Sequence, residues 1–195
     1  MKKVALFFGS FNPIHYGHLI LANYIAEYEE IDEVRFIVSP QNPFKKNRAL
    51  MSDEWRLKMV QKAIAGYDKF SVSDIEFSLP KPSYTIDTLM HFKETEKDVE
   101  FKLVMGGDNL VDFHKWKDAE KIAEICELLV YPRPNYPTEV PERWAKSVRM
   151  LENAPTLEIS STQIRNAWKE GKNLLFFLPR EVWSAMKEME SKGID

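Results

Sequence analysis

Two histidines, His15 and His18, sit three residues apart in the segment Gly9-Ser10-Phe11-Asn12-Pro13-Ile14-His15-Tyr16-Gly17-His18. At the start of a helix that spacing puts both imidazoles on one face. There they can donate N–H bonds to a polyphosphate and add positive charge when protonated. The glycines point the same way. The chain has only seven, and four of them, Gly9, Gly17, Gly106 and Gly107, gather at the ends of two apolar runs. A strand that runs into a glycine turn and then a helix aims backbone N–H groups and the positive helix end at an anion, and phosphate is the natural guest. Plain capping is the bland alternative for the histidine pair, and the neighbouring glycines weigh against it. Metal ligation by the protein has less support, because no cysteine or third histidine is near and no HExxH pattern occurs.

A second anion site is written near the other end. Glu158-Ile159-Ser160-Ser161-Thr162-Gln163-Ile164-Arg165 puts three hydroxyl residues at a helix start and an arginine one turn on. Hydroxyls, free backbone N–H groups and a guanidinium together clamp terminal phosphates well, although serine and threonine cap most helices. The common phosphate motifs are missing: there is no GxxxxGK[ST], and no GxGxxG. A P-loop hydrolase and a hydride-transfer enzyme are both disfavoured on that ground.

Something must hold these residues in place. Apolar runs that fit buried strands lie at residues 4–8, 34–38, 101–105 and 128–131, and stretches of helical period at 16–30, 53–65, 86–96, 119–125, 162–170 and 180–191. Their alternation predicts an α/β fold built on a parallel sheet, whose ligands sit at the carboxyl ends of the strands. Ser52 ahead of Asp53 and Glu54, and Ser161 ahead of Thr162, are the expected helix starts. Residues 40–49 and 131–141 are proline-bearing, polar loops long enough to suggest function.

The chain of 195 residues is 44% hydrophobic, which suits a single domain with one buried core. Its net charge of −3 supplies no basic field for nucleic acid. One cysteine, Cys126, excludes an internal disulfide and fits a small core residue in a reducing compartment. No apolar run reaches the roughly 20 residues needed to cross a bilayer, so a cytoplasmic location is expected.

The two motifs together resemble the paired signature of the nucleotidyltransferase superfamily with the HxGH motif. Between them, Pro82-Ser83-Tyr84-Thr85-Ile86-Asp87-Thr88-Leu89, Gly106-Gly107-Asp108, Trp116 and Arg133-Pro134-Asn135-Tyr136 are similar to segments of the bacterial nicotinate-mononucleotide adenylyltransferases. The resemblance spans nearly the whole chain. It implies a Rossmann-like parallel sheet flanked by helices, with a small C-terminal helical part. It implies transfer of AMP from ATP, with Mg2+, to nicotinate mononucleotide, giving nicotinate adenine dinucleotide and pyrophosphate. His15, His18 and Arg165 would be catalytic. Gly9, Ser10, Phe11, Gly106, Asp108, Ile159, Ser161 and Thr162 would join them around ATP. Lys45, Lys46, Tyr84, Thr85, Trp116 and Arg133 would serve the acceptor, and no residue would be a dedicated metal ligand. A homo-oligomer is compatible with the family.

Three positions depart from the pattern. Ser10 and Asn12 replace the commoner threonine and aspartate, and Phe44 stands where the family often has histidine, which leaves the loop contribution to Lys45 or Lys46. Phosphopantetheine as acceptor is disfavoured because its flexible arm offers no ring for Trp116, whereas nicotinamide mononucleotide differs only by a carboxamide. A non-catalytic nucleotide-binding module would be signalled by loss of the histidines or Arg165, and all are present. An RNA-binding role for Lys45, Lys46 and Arg48 has little support beside the negative net charge.

Overall fold

Residues 4–7, Val-Ala-Leu-Phe, are apolar without a break. Successive side chains of a strand face opposite ways, so such a run needs cover on both faces. The computed structural model, which describes residues 1–40 and 50–193, supplies that cover. Strand β1 (Lys2–Gly9) sends Ala5 and Phe7 into one apolar core and Val4 and Leu6 into another. The first core is closed by helices α1 (Tyr16–Tyr28), α2 (Asp53–Ile64), α6 (Ser161–Lys169) and α7 (Arg180–Ser191), and the second by α3 (Thr85–Thr95), α4 (Gly107–Asp112) and α5 (Ala119–Ile125).

The sheet among the described residues is wholly parallel. It comprises β1, β2 (Glu33–Val38), β3 (Phe70–Ser73), β4 (Val99–Gly106), β5 (Glu127–Tyr131) and β6 (Val148–Met150) in the order β3-β2-β1-β4-β5-β6. The chain starts in the middle, builds one edge, crosses back and builds the other. The order therefore reverses between β1 and β4, and the loops leaving those two strands part to open a crevice at their carboxyl ends. Gly9 closes β1 on that rim and Gly106 closes β4.

All four expected strands are present. The edge strands β3 and β6 were not foreseen: their sequences, FSVS and VRM, are half-buried along their whole length and lack an apolar run. Helix α2 begins as expected, with the Ser52 hydroxyl accepting from the Trp55 amide. Helix α6 starts one residue earlier than its sequence suggested. Ser160 is its cap, with the hydroxyl accepting from the Gln163 amide at 3.2 Å, so Ser161 lies within the first turn. The C-terminal helices are part of the main core, since Leu178, Val182, Ala185, Met186 and Met189 pack with Met59 and Val60 of α2. Cys126 is buried, and burial pushes its thiol up to about 12, as befits a packing residue.

One fully buried cation holds the rim. Arg56, on α2, donates to the carbonyls of Ser10 at 2.6 Å, Ser39 at 2.8 Å and Met51 at 3.1 Å, and pairs with Asp53. It ties the residue after β1 to the residue after β2, and both to the entry of α2. Asn12, also fully buried, accepts from the Met51 amide at 3.1 Å. The amide at position 12 thus has a structural role that needs no charge.

Candidate active site

The crevice holds two adjoining cavities. The larger, about 1500 Å³ counted to its open mouth, is lined by the loop after β1, the starts of α1 and α6, and residues 131–134 after β5. The smaller, about 780 Å³, lies between the carboxyl ends of the strands, the start of α3 and Trp116. They share Phe8, Gly9, Ser10 and Asn109. A molecule in one can therefore touch a molecule in the other at the end of β1.

In the larger cavity the two histidines meet as their spacing required. Their rings stack with centroids 3.8 Å apart. His15 is the cap of α1, and its backbone N–H donates to His18 Nδ1 at 3.3 Å. That bond places the proton of a neutral His18 on Nε2, which makes Nε2 a donor. Beneath it, Phe11 presents its ring edge to His18 at 5.1 Å and packs against Phe7 and Phe36. Phe11 sits at φ 42°, in the left-handed region that costs a bulky residue roughly 1–3 kcal/mol. Its 1% exposed ring is a support for His18 and offers little surface to a ligand. Gly9 makes this possible, because a Cβ there would lie 2.8 Å from the Phe11 ring. Gly17 has the matching task at the other histidine, where a Cβ would stand 3.0 Å from the His15 ring.

His15 is 4% exposed, and its Nδ1 has no hydrogen-bond partner among the described residues. Burial, and then the nearby Arg133 guanidinium, lower its pKa to about 4. His15 is therefore neutral at pH 7, and it offers a phosphate a ring nitrogen without a charge. Two stacked imidazolium ions at 3.8 Å would repel, and a neutral His15 removes that penalty.

The second motif reaches the first across the fold. Ser161 Oγ donates to the Pro13 carbonyl at 3.0 Å, and Arg165 donates to the Asn12 carbonyl at 2.7 Å and to Thr162 Oγ1 at 3.2 Å. Ile159, Ser161, Thr162 and Arg165 all line the larger cavity. Its two helix starts share a further property. Of the seven α-helices among the described residues, only α1 and α6 have no acid in the first turn. Both present their positive ends without an acid of their own, whereas each of the other helices has one in its first turn.

Among the described residues Asp108 is the one carboxylate lining the larger cavity, and Arg133 Nε lies 3.5 Å from it. A Cβ on Gly106 would fall on the Asp108 carboxylate and crowd the Tyr131 ring. Arg133, grouped by sequence with the acceptor residues, thus stands on the Asp108 and His15 side of the crevice. Thr85 and Trp116 line the smaller cavity together, with Ser39, Glu76, Ser83 and Lys117. Trp116 is half-buried, and Phe113 braces it edge-on at 5.5 Å. Tyr84 caps α3 and lies under the Lys117 ammonium at 4.8 Å, while Lys117 also pairs with Asp87 at 3.0 Å. Lys45, Lys46 and Phe44 fall outside the described residues.

Four residues of the crevice, Ser39, Glu76, Asn109 and Lys117, were missed by the sequence reading. Ser39 directly follows β2 and Asn109 follows Gly106-Gly107-Asp108, so the rule that ligands gather at strand ends could have found both. Glu76, in a short 3-10 turn (Ile75–Phe77), carries no local signal.

Comparison with known proteins agrees with this geometry. A cytidylyltransferase-like family model matches residues 6–167. A probable nicotinate-nucleotide adenylyltransferase of Christiangramia forsetii is 48% identical over 96% of this chain and 97% of its own length, and one of Cytophaga hutchinsonii is 51% identical over 92% and 93%. This chain belongs to the nicotinate-nucleotide adenylyltransferase family. The fold extends much further than the sequence likeness. The nicotinic acid mononucleotide adenylyltransferase of Plasmodium falciparum, solved with NaAD, superposes with a TM-score of 0.77 at 20% identity, covering 97% of each chain. The family uses ATP, and a divalent metal generally accompanies it. Among the described residues no helix is long and apolar enough to cross a membrane.

Proposed function

We propose that this protein is a single catalytic unit that transfers AMP from ATP to nicotinate mononucleotide, releasing pyrophosphate and forming nicotinate adenine dinucleotide for NAD biosynthesis. The observation that carries the residue assignments is the sharing of Gly9, Ser10 and Asn109 between a cavity rich in phosphate donors and one walled by a tryptophan. ATP takes the larger cavity, with its phosphates at the starts of α1 and α6. The mononucleotide takes the smaller, with its pyridine ring on Trp116 and its ring carboxylate near the N–H groups that open α3.

The acceptor's 5′-phosphate oxygen attacks the α-phosphorus, and the bond from that phosphorus to the β-phosphate bridging oxygen breaks, with the electron pair leaving on pyrophosphate. A phosphate monoester with a second pKa near ~6 is already ionised at neutral pH, so no general base is needed. Catalysis is then positioning plus neutralisation of charge. His18 Nε2–H and the neutral His15 donate to phosphate oxygens, Arg165 adds a fixed positive charge held by Asn12 and Thr162, and the first-turn amides of α6 complete the clamp. Lys45 or Lys46, outside the described residues, would add a further cation.

The donor set suits an ion that arrives with the nucleotide. Among the described residues only Asp108 brings a carboxylate to the larger cavity, and Mg2+ would keep phosphate oxygens and waters as its main ligands. Asp108 would contact it, directly or through water. When bound, Mg2+ draws charge from the triphosphate and eases departure of pyrophosphate. A cytoplasmic location fits the buried free thiol of Cys126.

Pyrophosphate release with ATP and each of nicotinate mononucleotide, nicotinamide mononucleotide and phosphopantetheine tests the reading. Release is expected with nicotinate mononucleotide. Release with none of the three would remove the activity, and release with phosphopantetheine alone would overturn the acceptor.

A further inference from the structure

The smaller cavity contains a residue at odds with the charge of its proposed ligand. Glu76 is the only acid among the described residues that line it, and the acceptor assigned to that cavity brings a carboxylate of its own. The side chain is 2% exposed. Its Oε1 accepts from Thr88 Oγ1 at 2.8 Å, the Ser39 hydroxyl donates to the same carboxyl, and its backbone carbonyl lies 3.5 Å from Ser83 Oγ. Thr88 is fully buried in the first turns of α3, Ser39 stands at the end of β2, and Ser83 lies just ahead of the α3 cap. The carboxyl therefore joins the end of β2 to α3, and the Glu76 main chain adds the contact to Ser83.

We infer that Glu76 is the positioning residue of the acceptor seat, fixing the Ser83–Thr85 start of α3 against the end of β2, at the depth where it faces Trp116. The inference rests on the acceptor assignment above. Burial raises the Glu76 pKa, while the Ser39 and Thr88 hydroxyls lower it. The acid neither attracts the ligand nor takes a proton from it. It acts through the N–H groups that α3 presents, whose placement decides how well a flat ring with a carboxylate is seated. The larger cavity draws no wall from Glu76, Ser83 or Thr88, so ATP binding is independent of it.

The test is steady-state kinetics of Glu76→Ala, Glu76→Gln and Thr88→Val beside the wild type, with ATP and the mononucleotide varied in turn and each variant assayed below its melting temperature. Losing a buried hydrogen-bond hub should cost the acceptor about tenfold or more in KM for Glu76→Ala, and a smaller rise for the isosteric Thr88→Val, with kcat and the KM for ATP inside about threefold. Glu76→Gln keeps the shape, and the Ser39 and Thr88 hydroxyls can rotate to meet its amide, so its acceptor KM should stay within about threefold of wild type. An unchanged acceptor KM in Glu76→Ala, an equal rise in both KM values, or a Gln variant as poor as the Ala variant would each overturn the inference. An inactive wild type would overturn the acceptor assignment, and this inference with it. An active wild type with any of those three outcomes overturns the inference alone.

Discussion

The two cavities that meet at Gly9 and Ser10 are built by opposite means. The larger is lined by two histidines, two arginines and the starts of two helices that carry no acid of their own, and its halves are joined by hydrogen bonds from Ser161 and Arg165 to the carbonyls of Pro13 and Asn12. Among the described residues the smaller has one lysine, which is already paired with Asp87, one buried acid and an indole. A triphosphate is recognised by its charge, so its seat can be a cluster of donors. A pyridine mononucleotide is recognised by a flat ring and one small substituent, so its seat depends on where a tryptophan and a few backbone groups stand. Damage to the first should therefore appear in turnover, and damage to the second in acceptor affinity.

The hardest strain on that contrast is His18→Ala. Its Nε2–H is the donor oriented by the His15 amide, and loss of one preorganised donor to developing charge typically lowers kcat by about 10²–10³. The KM for the mononucleotide should move little. A variant with wild-type turnover, measured by pyrophosphate release, would remove the catalytic role of the histidine pair.

The neutrality of His15 has a pH signature. Its folded pKa of about 4 lies below the ordinary 6.5, so the unfolded chain binds the extra proton in the interval between them. Stability contributed by the neutral imidazole is complete above 6.5 and is lost as the pH falls toward 4, by about 3 kcal/mol at most. Glu33, although burial raises it, is held down at about 2 by hydrogen bonds from Arg35, Lys2 and Ser71, so its own loss sets in below about 4.5. Urea melts of wild type and His15→Asn between pH 7 and 4 separate the two. The wild type should lose stability through that window and the variant should lose less. Parallel curves would mean that His15 is not buried as a neutral base.

Legibility in the sequence followed the same divide. The nucleotide cavity is made of short-range spacings, His15 with His18 and Ser161 with Thr162 and Arg165, and a helix start turns such spacing directly into geometry. The central strands were readable because both their faces are apolar. The edge strands β3 and β6, half-buried and partly polar, were not. Arg56 reads as an ordinary surface residue of an amphipathic helix, and nothing local says that it is fully buried under four carbonyls. The acceptor cavity draws Ser39, Glu76, Ser83 and Trp116 from segments that meet only through the sheet. Tyr84, Thr85 and Trp116 were reached by family resemblance alone, and Glu76 was not reached at all.

Trp116→Ala probes the second cavity. An aromatic face under a flat ring is worth about 1–3 kcal/mol, so the acceptor KM should rise about tenfold while the KM for ATP stays close to wild type. Phe113 holds the indole edge-on, so Trp116→Phe should keep part of the affinity. Equal weakening of both substrates would dissolve the division into two seats.

The smallest expected effect tests the joint between the two motifs. Ser161 Oγ bonds the Pro13 carbonyl across 148 positions of sequence, and Arg165 bonds the neighbouring Asn12 carbonyl. Removing the hydroxyl in Ser161→Ala should cost about 1 kcal/mol of stability, because one part-buried carbonyl loses its donor. The catalytic effect depends on whether Arg165 alone can hold the loop. If the two bonds act as a unit, Ser161→Ala will lower kcat severalfold, and adding Arg165→Ala will lower it by less than the product of the single effects. Were the effects on kcat simply multiplicative, the two residues would be independent phosphate ligands. The clamp would then be two sites that happen to lie side by side, and no longer one site held shut by the chain's distant ends.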